Sequence, residues 1–392
     1  MKTFLKKSFD FLASYGFACL IFLSLLLLTF LGTMEQVDHG LYEVQKKYFE
    51  SIFLVHWLFD TIPLPLPGVY LLLVLFTFNL IAGGIIRLRK NRNTIGNFIT
   101  HVGMLVMIAA GFVNYTFALD GHLTLAENEQ SSEFVSYYLW EVAIAEPKDG
   151  KVEQELVIPN EAFAYSEGDG SSTFTNGELP FELTLSNFAR NAEIVPPAVD
   201  PQLKPVDGFA IRPLPLDKEA ERNIAAAYAT VKDKKSGETQ EAILFGFSAA
   251  PWTAMVDGKP YLIELRRKHY TLPFTIALNK FHEESHPGTE MARMFMSEVT
   301  KIEGDVAQPV KIQMNEPLRH KGYTLYQASW QPAQPQFGIP VKSTLAVVKN
   351  PSDQWPLYSC IIITVGLLIH FTMKLSKYLR AENKRLAARS AS

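Results

Sequence analysis

Four long apolar stretches of this chain contain no Asp, Glu, Lys or Arg: Phe11–Met34, Thr61–Ile86, Asn93–Leu119 and Gln354–Met373. By their end positions they run 24, 26, 27 and 20 residues. A helix needs roughly 20 apolar residues to cross hydrocarbon, and inside lipid its backbone must bond to itself. Four such runs do not fit a soluble core. They predict transmembrane helices at about 13–33, 67–86, 97–118 and 354–374. Lys2, Lys6 and Lys7 resemble the charged start of a signal peptide. The apolar run behind them is too long, and no small-x-small site follows, so the first span is expected to be a retained anchor.

Lysine and arginine set the expected orientation. They gather at the N-terminus, in the loop RLRKNR (Arg87, Arg89, Lys90, Arg92), and in a tail at 375–392 with Lys377, Arg380, Lys384, Arg385 and Arg389, just after Lys374. Both termini and that loop are therefore expected in the cytoplasm of a plasma (inner) membrane protein. Residues 35–62 are expected as an amphipathic outer loop, and 119–353 as an extracytoplasmic domain. The net charge of −3 does not suggest nucleic acid as a partner, and there is no basic block of the kind phosphate backbones attract, so none is expected. The two cysteines, Cys19 and Cys360, both lie in spans. There is no disulfide framework, no CxxC and no CxxCH.

The outer segment reads as β structure. SYYLWEVAIAE, PFELTLSNF, KPYLIELRR, PFTIALNKF, RMFMSEVTKIE, GYTLYQASW and STLAVVKN are short, rich in β-branched and aromatic residues, and separated by turn formers. The expected fold is thus an α+β membrane protein: four transmembrane helices, and an all-β, sandwich-like or partly open barrel domain inserted between the third and fourth spans. ELPFELTLSNF and TLPFTIALNKF echo each other, and VDGKPYLIEL resembles RHKGYTLYQA in its place. Either the domain holds two related modules, or a common strand pattern recurs by chance. IVPPAVDPQLKPVDGFAIRPLPLD is expected as a long ordered loop.

Three motifs carry potential chemistry. HEESH, residues 282–286, matches the zinc-protease pattern H-E-x-x-H. That chemistry needs a helix that puts both imidazoles on one face. A preceding strand and a following Pro-Gly point instead to a solvated turn. His101 lies nine residues after Arg92, and His370 lies four before Lys374. At 1.5 Å per residue they sit about 13 Å and about 6 Å inward of those charges. An imidazole at that depth usually has a partner or a task. Axial ligation of haem iron and an interhelical hydrogen bond are the two options. Outside, Arg319 and Lys321 in NEPLRHKGYTLYQASW are candidates for a haem propionate or a client protein, against solvated hairpin charges. Arg266, Arg267 and Lys268 invite the same pair of readings.

GTMEQVDHGLYEVQKKYFES, HVGMLVMIAAG, SEVTKIEG and VKIQMNEPLRHKGYTLYQASW, followed by PSDQWPLYSCIIITVGLLIHF, together resemble the ResB (CcsB) family of system II cytochrome c biogenesis. The resemblance runs over nearly the whole chain. It implies a subunit that pairs with a ResC/CcsA-type integral membrane protein, carries haem b across the bilayer as a transported substrate, and supports its attachment to apocytochrome c. The chain has no Trp-rich segment of the ResC type, so it is expected to be the partner subunit, a non-catalytic or co-catalytic part of a cytochrome c haem lyase (synthase) complex, and no residue of it is singled out as catalytic. The resemblance also implies that His101 matches a span histidine that supplies one haem ligand; His370 has no such counterpart. A scaffold that stabilises its partner without touching haem is the competing reading, and a membrane-anchored metalloprotease a remote one.

Overall fold

A computed structural model describes residues 2–59, 61–148, 151–288 and 292–390. The chain divides into two compact units, 1–118 with 350–392, and 119–349.

The first unit is helical. Helix α1 (Lys2–Leu12) is followed by α2 (Tyr15–Val44), a π turn (Gln45–Phe49), α3 (Val69–Asn79) running into a second π segment (Leu80–Ile86), α4 (Ile95–Phe117) and α5 (Trp355–Ser390). Among the described residues four helices are long and apolar enough to cross a membrane: Tyr15–Phe49, Val69–Ile86, Ile95–Phe117 and Trp355–Arg389. Gly40, with φ 76° and ψ 167°, breaks the helical path of α2, a conformation that needs a residue without Cβ.

Residues 53–67, at the end of the expected amphipathic outer loop and just beyond it, are extended. They form an antiparallel hairpin, β1 (Phe53–Leu58) with β2 (Ile62–Pro67). Pro63, Pro65 and Pro67 stand opposite Trp57, Val55 and Phe53. Proline at every second position leaves the intervening Ile62, Leu64 and Leu66 to supply the ladder N–H groups, so the strand survives its prolines.

The second unit is β-rich. Its strands are β3 (Leu119–Ala126), β4 (Gln130–Lys148), β5 (Lys151–Pro159), β6 (Ser171–Thr175), β7 (Phe181–Ala189), β8 (Ala192–Val195), β9 (Ala210–Pro213), β10 (Ala226–Asp233), β11 (Thr239–Phe245), β12 (Trp252–Val256), β13 (Lys259–Ser285), β14 (Ala292–Glu303), β15 (Val306–Gln313), β16 (Leu318–His320), β17 (Tyr323–Gln331) and β18 (Lys342–Lys349). One sheet has the order β11-β10-β7-β6. A second runs β15-β14-β13-β4-β3-β18-β17-β16, with β12 on β13 and β5 on β4. β8 and β9 pair antiparallel, so Ile194–Val195 and Ala210–Pro213 of the Pro-rich stretch are strand rather than loop.

Among the described residues two larger apolar cores follow, beside a smaller cluster of Ala189, Ala192, Val206, Ile211, Ala226 and Tyr228. In one, Phe181, Leu183 and Leu185 of β7 and Ala227, Ala229 and Val231 of β10 pack with Val142 and Ile144 of β4 and Ile263 of β13. Two sheets face each other there, a sandwich. In the other, Leu125, Phe134, Phe274, Ile276, Val299, Ile312, Leu325 and Val347 all come from the larger sheet. One sheet can pool its inner face into a single cluster only by curling round on itself.

β4 and β13 contribute to both cores. Along β13 the inward positions change from odd (Tyr261, Ile263, Leu265) to even (Leu272, Phe274, Ile276, Leu278). The change of phase falls where the pairing with β4 shifts register, between Arg267 and His269 and again between Thr271 and Ile276. The two LPF echoes lie in different sheets, leading into β7 and within β13. The weaker echo has a local counterpart: Asp257-Gly258 and Lys321-Gly322 both close two-residue hairpins, and all four residues have positive φ, as type I′ turns demand.

Candidate functional site

His101 sits in the second turn of α4. Its Nδ1 lies 2.6 Å from the carbonyl oxygen of Asn97, one turn back. A carbonyl can only accept, so Nδ1 carries the proton. In the neutral ring Nε2 then holds the lone pair, and among the described residues no group hydrogen-bonds it. This is the tautomer in which a second-shell carbonyl readies an imidazole for metal.

The ring packs on Gly84 in the π segment that ends the second span. A Cβ there would lie 2.4 Å from His101 Cδ2 and 3.1 Å from Nε2. The neighbouring Gly83 is pressed on the carbonyl of Ala13, at 2.9 Å from a built Cβ. Asn79 donates to the carbonyls of Leu12 and Ser14, at 2.6 and 3.1 Å. Short π segments inside helices are often found at functional sites; here one makes room for an imidazole.

His370 lies on α5, against the opposite flank of α4. Gly96 of α4 meets its backbone: a Cβ would stand 2.6 Å from His370 N and from Gly366 O. The seam continues through Gly103, Thr100 and Gly366, sealed by Ser359 Oγ donating to Gly103 O at 2.7 Å and Ser352 Oγ to Ala110 O at 2.9 Å. Small residues let the two backbones approach, and hydroxyls find carbonyls across the gap. His370 Nδ1 is buried with no hydrogen-bond partner, an uncommon state for a ring nitrogen. Helix α4 thus carries one imidazole and buttresses the other.

A third histidine was not singled out by the sequence. The hydroxyl of Tyr48, a residue with no exposed surface, donates to Glu35 Oε2 at 2.6 Å and lies 2.6 Å from His56 Nδ1. Having spent its proton on Glu35, the hydroxyl must accept from His56 Nδ1–H. Lys47 completes the group by donating to Glu35 Oε1 at 2.7 Å. Glu35 inside a long helix, just after an uncharged run, was the available clue.

In the β-rich unit, the side chain of Lys321 pairs with Glu303, which also accepts from His320 Nε2 at 2.8 Å. Lys321 and then His320 hold the Glu303 carboxyl down, to about 2. An incoming anion would compete with Glu303 for Lys321. Arg319 donates to Thr324 Oγ1 at 3.3 Å.

Arg266 and Arg267 are tied down rather than solvated. Arg266 bonds Glu141, Glu155 and Glu264 at 3.0, 2.6 and 2.9 Å. Arg267 lies over the Trp140 ring at 4.1 Å and donates to the carbonyls of Glu221 and Asn223, both at 2.8 Å. Burial lowers its pKa to about 10.

HEESH forms neither a helix nor the expected turn. His282, Glu283 and Glu284 extend β13, opposite Met296, Phe295 and Met294 of β14. Neighbours on a strand point to opposite faces, so His282 and Glu283 cannot share one site. Among the described residues no group of three His, Cys, Asp or Glu is placed to hold a metal ion.

Four membrane-length helices with two imidazoles set against one of them, joined to a large β unit, define a membrane protein of α+β class. The sequence model of the ResB-like family matches residues 253–343, from β12 into β18. That match supports a ResB (CcsB) family assignment, and the family suggests a role in cytochrome c biogenesis. No curated protein matches the chain.

Proposed function

We propose that this chain is the ResB-like subunit of a system II cytochrome c synthase, working with a ResC/CcsA-type integral membrane protein to carry haem b across the bilayer and support its attachment to apocytochrome c. The observation that best supports the reading is the fixed tautomer of His101, with Nδ1–H given to the Asn97 carbonyl and Nε2 left for iron. The chain's own part is to orient that ring on Gly84 and hold it about 13 Å inward of the basic 87–92 loop. A second axial ligand would come from the partner, since haem iron takes two. The distribution of Lys and Arg supports both termini on the cytoplasmic side and 119–349 on the other.

The test is to purify the chain with its partner and record the haem absorption spectrum for wild type and for His101→Ala. Loss or displacement of the haem bands in the variant is expected. Full haem content with an unchanged spectrum would favour the non-ligating scaffold.

A further inference from the structure

A cavity of about 540 Å³ lies at the end of the helical unit, lined by Lys90, Asn91, Arg92, Thr94, Ile95 and Phe98, with Met373 from α5. Its floor is apolar: Ile95, Phe98 and Met373. Its rim is cationic. No acidic residue occurs between Thr61 and Leu119, and among the described residues neither Lys90 nor Arg92 has a carboxylate partner. Lys90 Nζ stands 5.7 Å over the Phe98 ring, at the edge of the floor. The rim is held in shape by Thr94, whose hydroxyl donates to the Arg89 carbonyl and accepts from Asn91 N at 3.2 Å.

Apolar walls with unneutralised cations at the mouth fit an amphipathic anion: acidic groups on an apolar body. Two sources have that chemistry, a dicarboxylate porphyrin and an acidic phospholipid. Position favours the first. Phe98 precedes His101 by three residues on α4, about 4.5 Å along the axis, and Met373 follows His370 by three on α5. A lipid headgroup gains nothing from a nearby imidazole, whereas haem has an iron to place there and carboxylates to place at the rim.

We propose that Lys90 and Arg92 bind the two carboxylates of haem while its macrocycle rests on Ile95, Phe98 and Met373. This rests on the haem-handling reading above and adds to it a specificity: the site selects for the acid groups of the porphyrin as well as for its iron.

The experiment titrates the purified full chain in neutral detergent with haem and with haem dimethyl ester, followed by absorbance. A charged hydrogen bond contributes about 1.5–3 kcal/mol, so the free acid should bind roughly tenfold tighter or more. The ester is the more apolar ligand, so solubility in the cavity alone would give the reverse order. In Lys90→Ala/Arg92→Ala the preference should vanish while the iron spectrum of the bound form is kept. Lys90→Arg/Arg92→Lys should retain the preference, and thermal unfolding should show that both variants are folded. Equal binding of acid and ester by wild type overturns the proposal and leaves ligation by His101 intact. A preference unchanged in the double alanine variant also overturns it. A preference abolished by adding phosphatidylglycerol assigns the cations to lipid instead. If neither the acid nor the ester binds, this proposal falls together with the reading beneath it.

Discussion

The hydroxyl of Tyr48 donates a 2.6 Å hydrogen bond to the carboxylate of Glu35, thirteen residues earlier in the chain. The break at Gly40 and the π turn after it fold the end of the first long helix back, so that residues this far apart meet. Tyr48→Phe removes the donor to Glu35 and the acceptor for His56 together. An unmade hydrogen bond in a buried group costs about 1–3 kcal/mol. Thermal unfolding in detergent should register a loss of that order, and Glu35→Gln a similar one. Lys47→Met should lose less, because its ammonium is partly exposed and screened.

The α4–α5 seam predicts opposite outcomes for two glycines on one helix. Gly96→Ala drives a methyl into backbone atoms of Gly366 and His370, which cannot move aside without parting the helices. Gly111 meets nothing within 4 Å. Gly111→Ala should be neutral or raise stability by up to about 1 kcal/mol through helix propensity. Unfolding temperature and limited proteolysis of the two variants check this. Equal destabilisation would show that the seam is not the cause.

Glu141 is 4% exposed and holds Arg266, itself 20% exposed. Removing one partner of a lone buried ion pair costs about 3–5 kcal/mol. Arg266 keeps Glu155 and Glu264 in Glu141→Ala, so a smaller loss of about 1–3 kcal/mol is expected. Chemical unfolding of the full chain measures it.

The His122 and Tyr137 rings meet at a tilt with centroids 5.1 Å apart, and His122 Nδ1 is buried with no partner. Burial first, then the nearby Arg267, lowers its pKa below the ordinary 6.5, with Glu221 opposing weakly. When the folded form binds the proton less readily, the unfolded chain takes it up first. Stability is then present above about pH 6.5 and is lost as pH falls through that value toward the lower folded pKa. The unfolding temperature of wild type should fall over that window, and His122→Phe should reduce the slope. An unchanged slope in the variant would place the dependence elsewhere.

What could be read from the sequence follows a physical divide. The spans were legible because lipid forbids charges and fixes a length, and most strands because alternation survives in them. The 27-residue β13 reads as two strands, since its inward positions change phase at Arg266–Tyr270 where pairing slips. β10, AAYATVKD, was missed because alanines give little strand signal, although they pack beneath β7. His101 and His370 stood out as imidazoles in apolar runs. The partners of Arg266, and the meeting of Glu35, Tyr48 and His56, depend on tertiary approach that spacing along the chain does not reveal.

β4 and β13 run through both of the larger cores of the β-rich unit, and this bears on how that unit can be divided. A chain cut between the cores would sever two strands at once, and each fragment would keep frayed, half-paired edges. Neither half is a candidate for separate expression. Deleting one would expose the other to edge-to-edge association, so the natural places to insert or circularly permute are the tips of the hairpins.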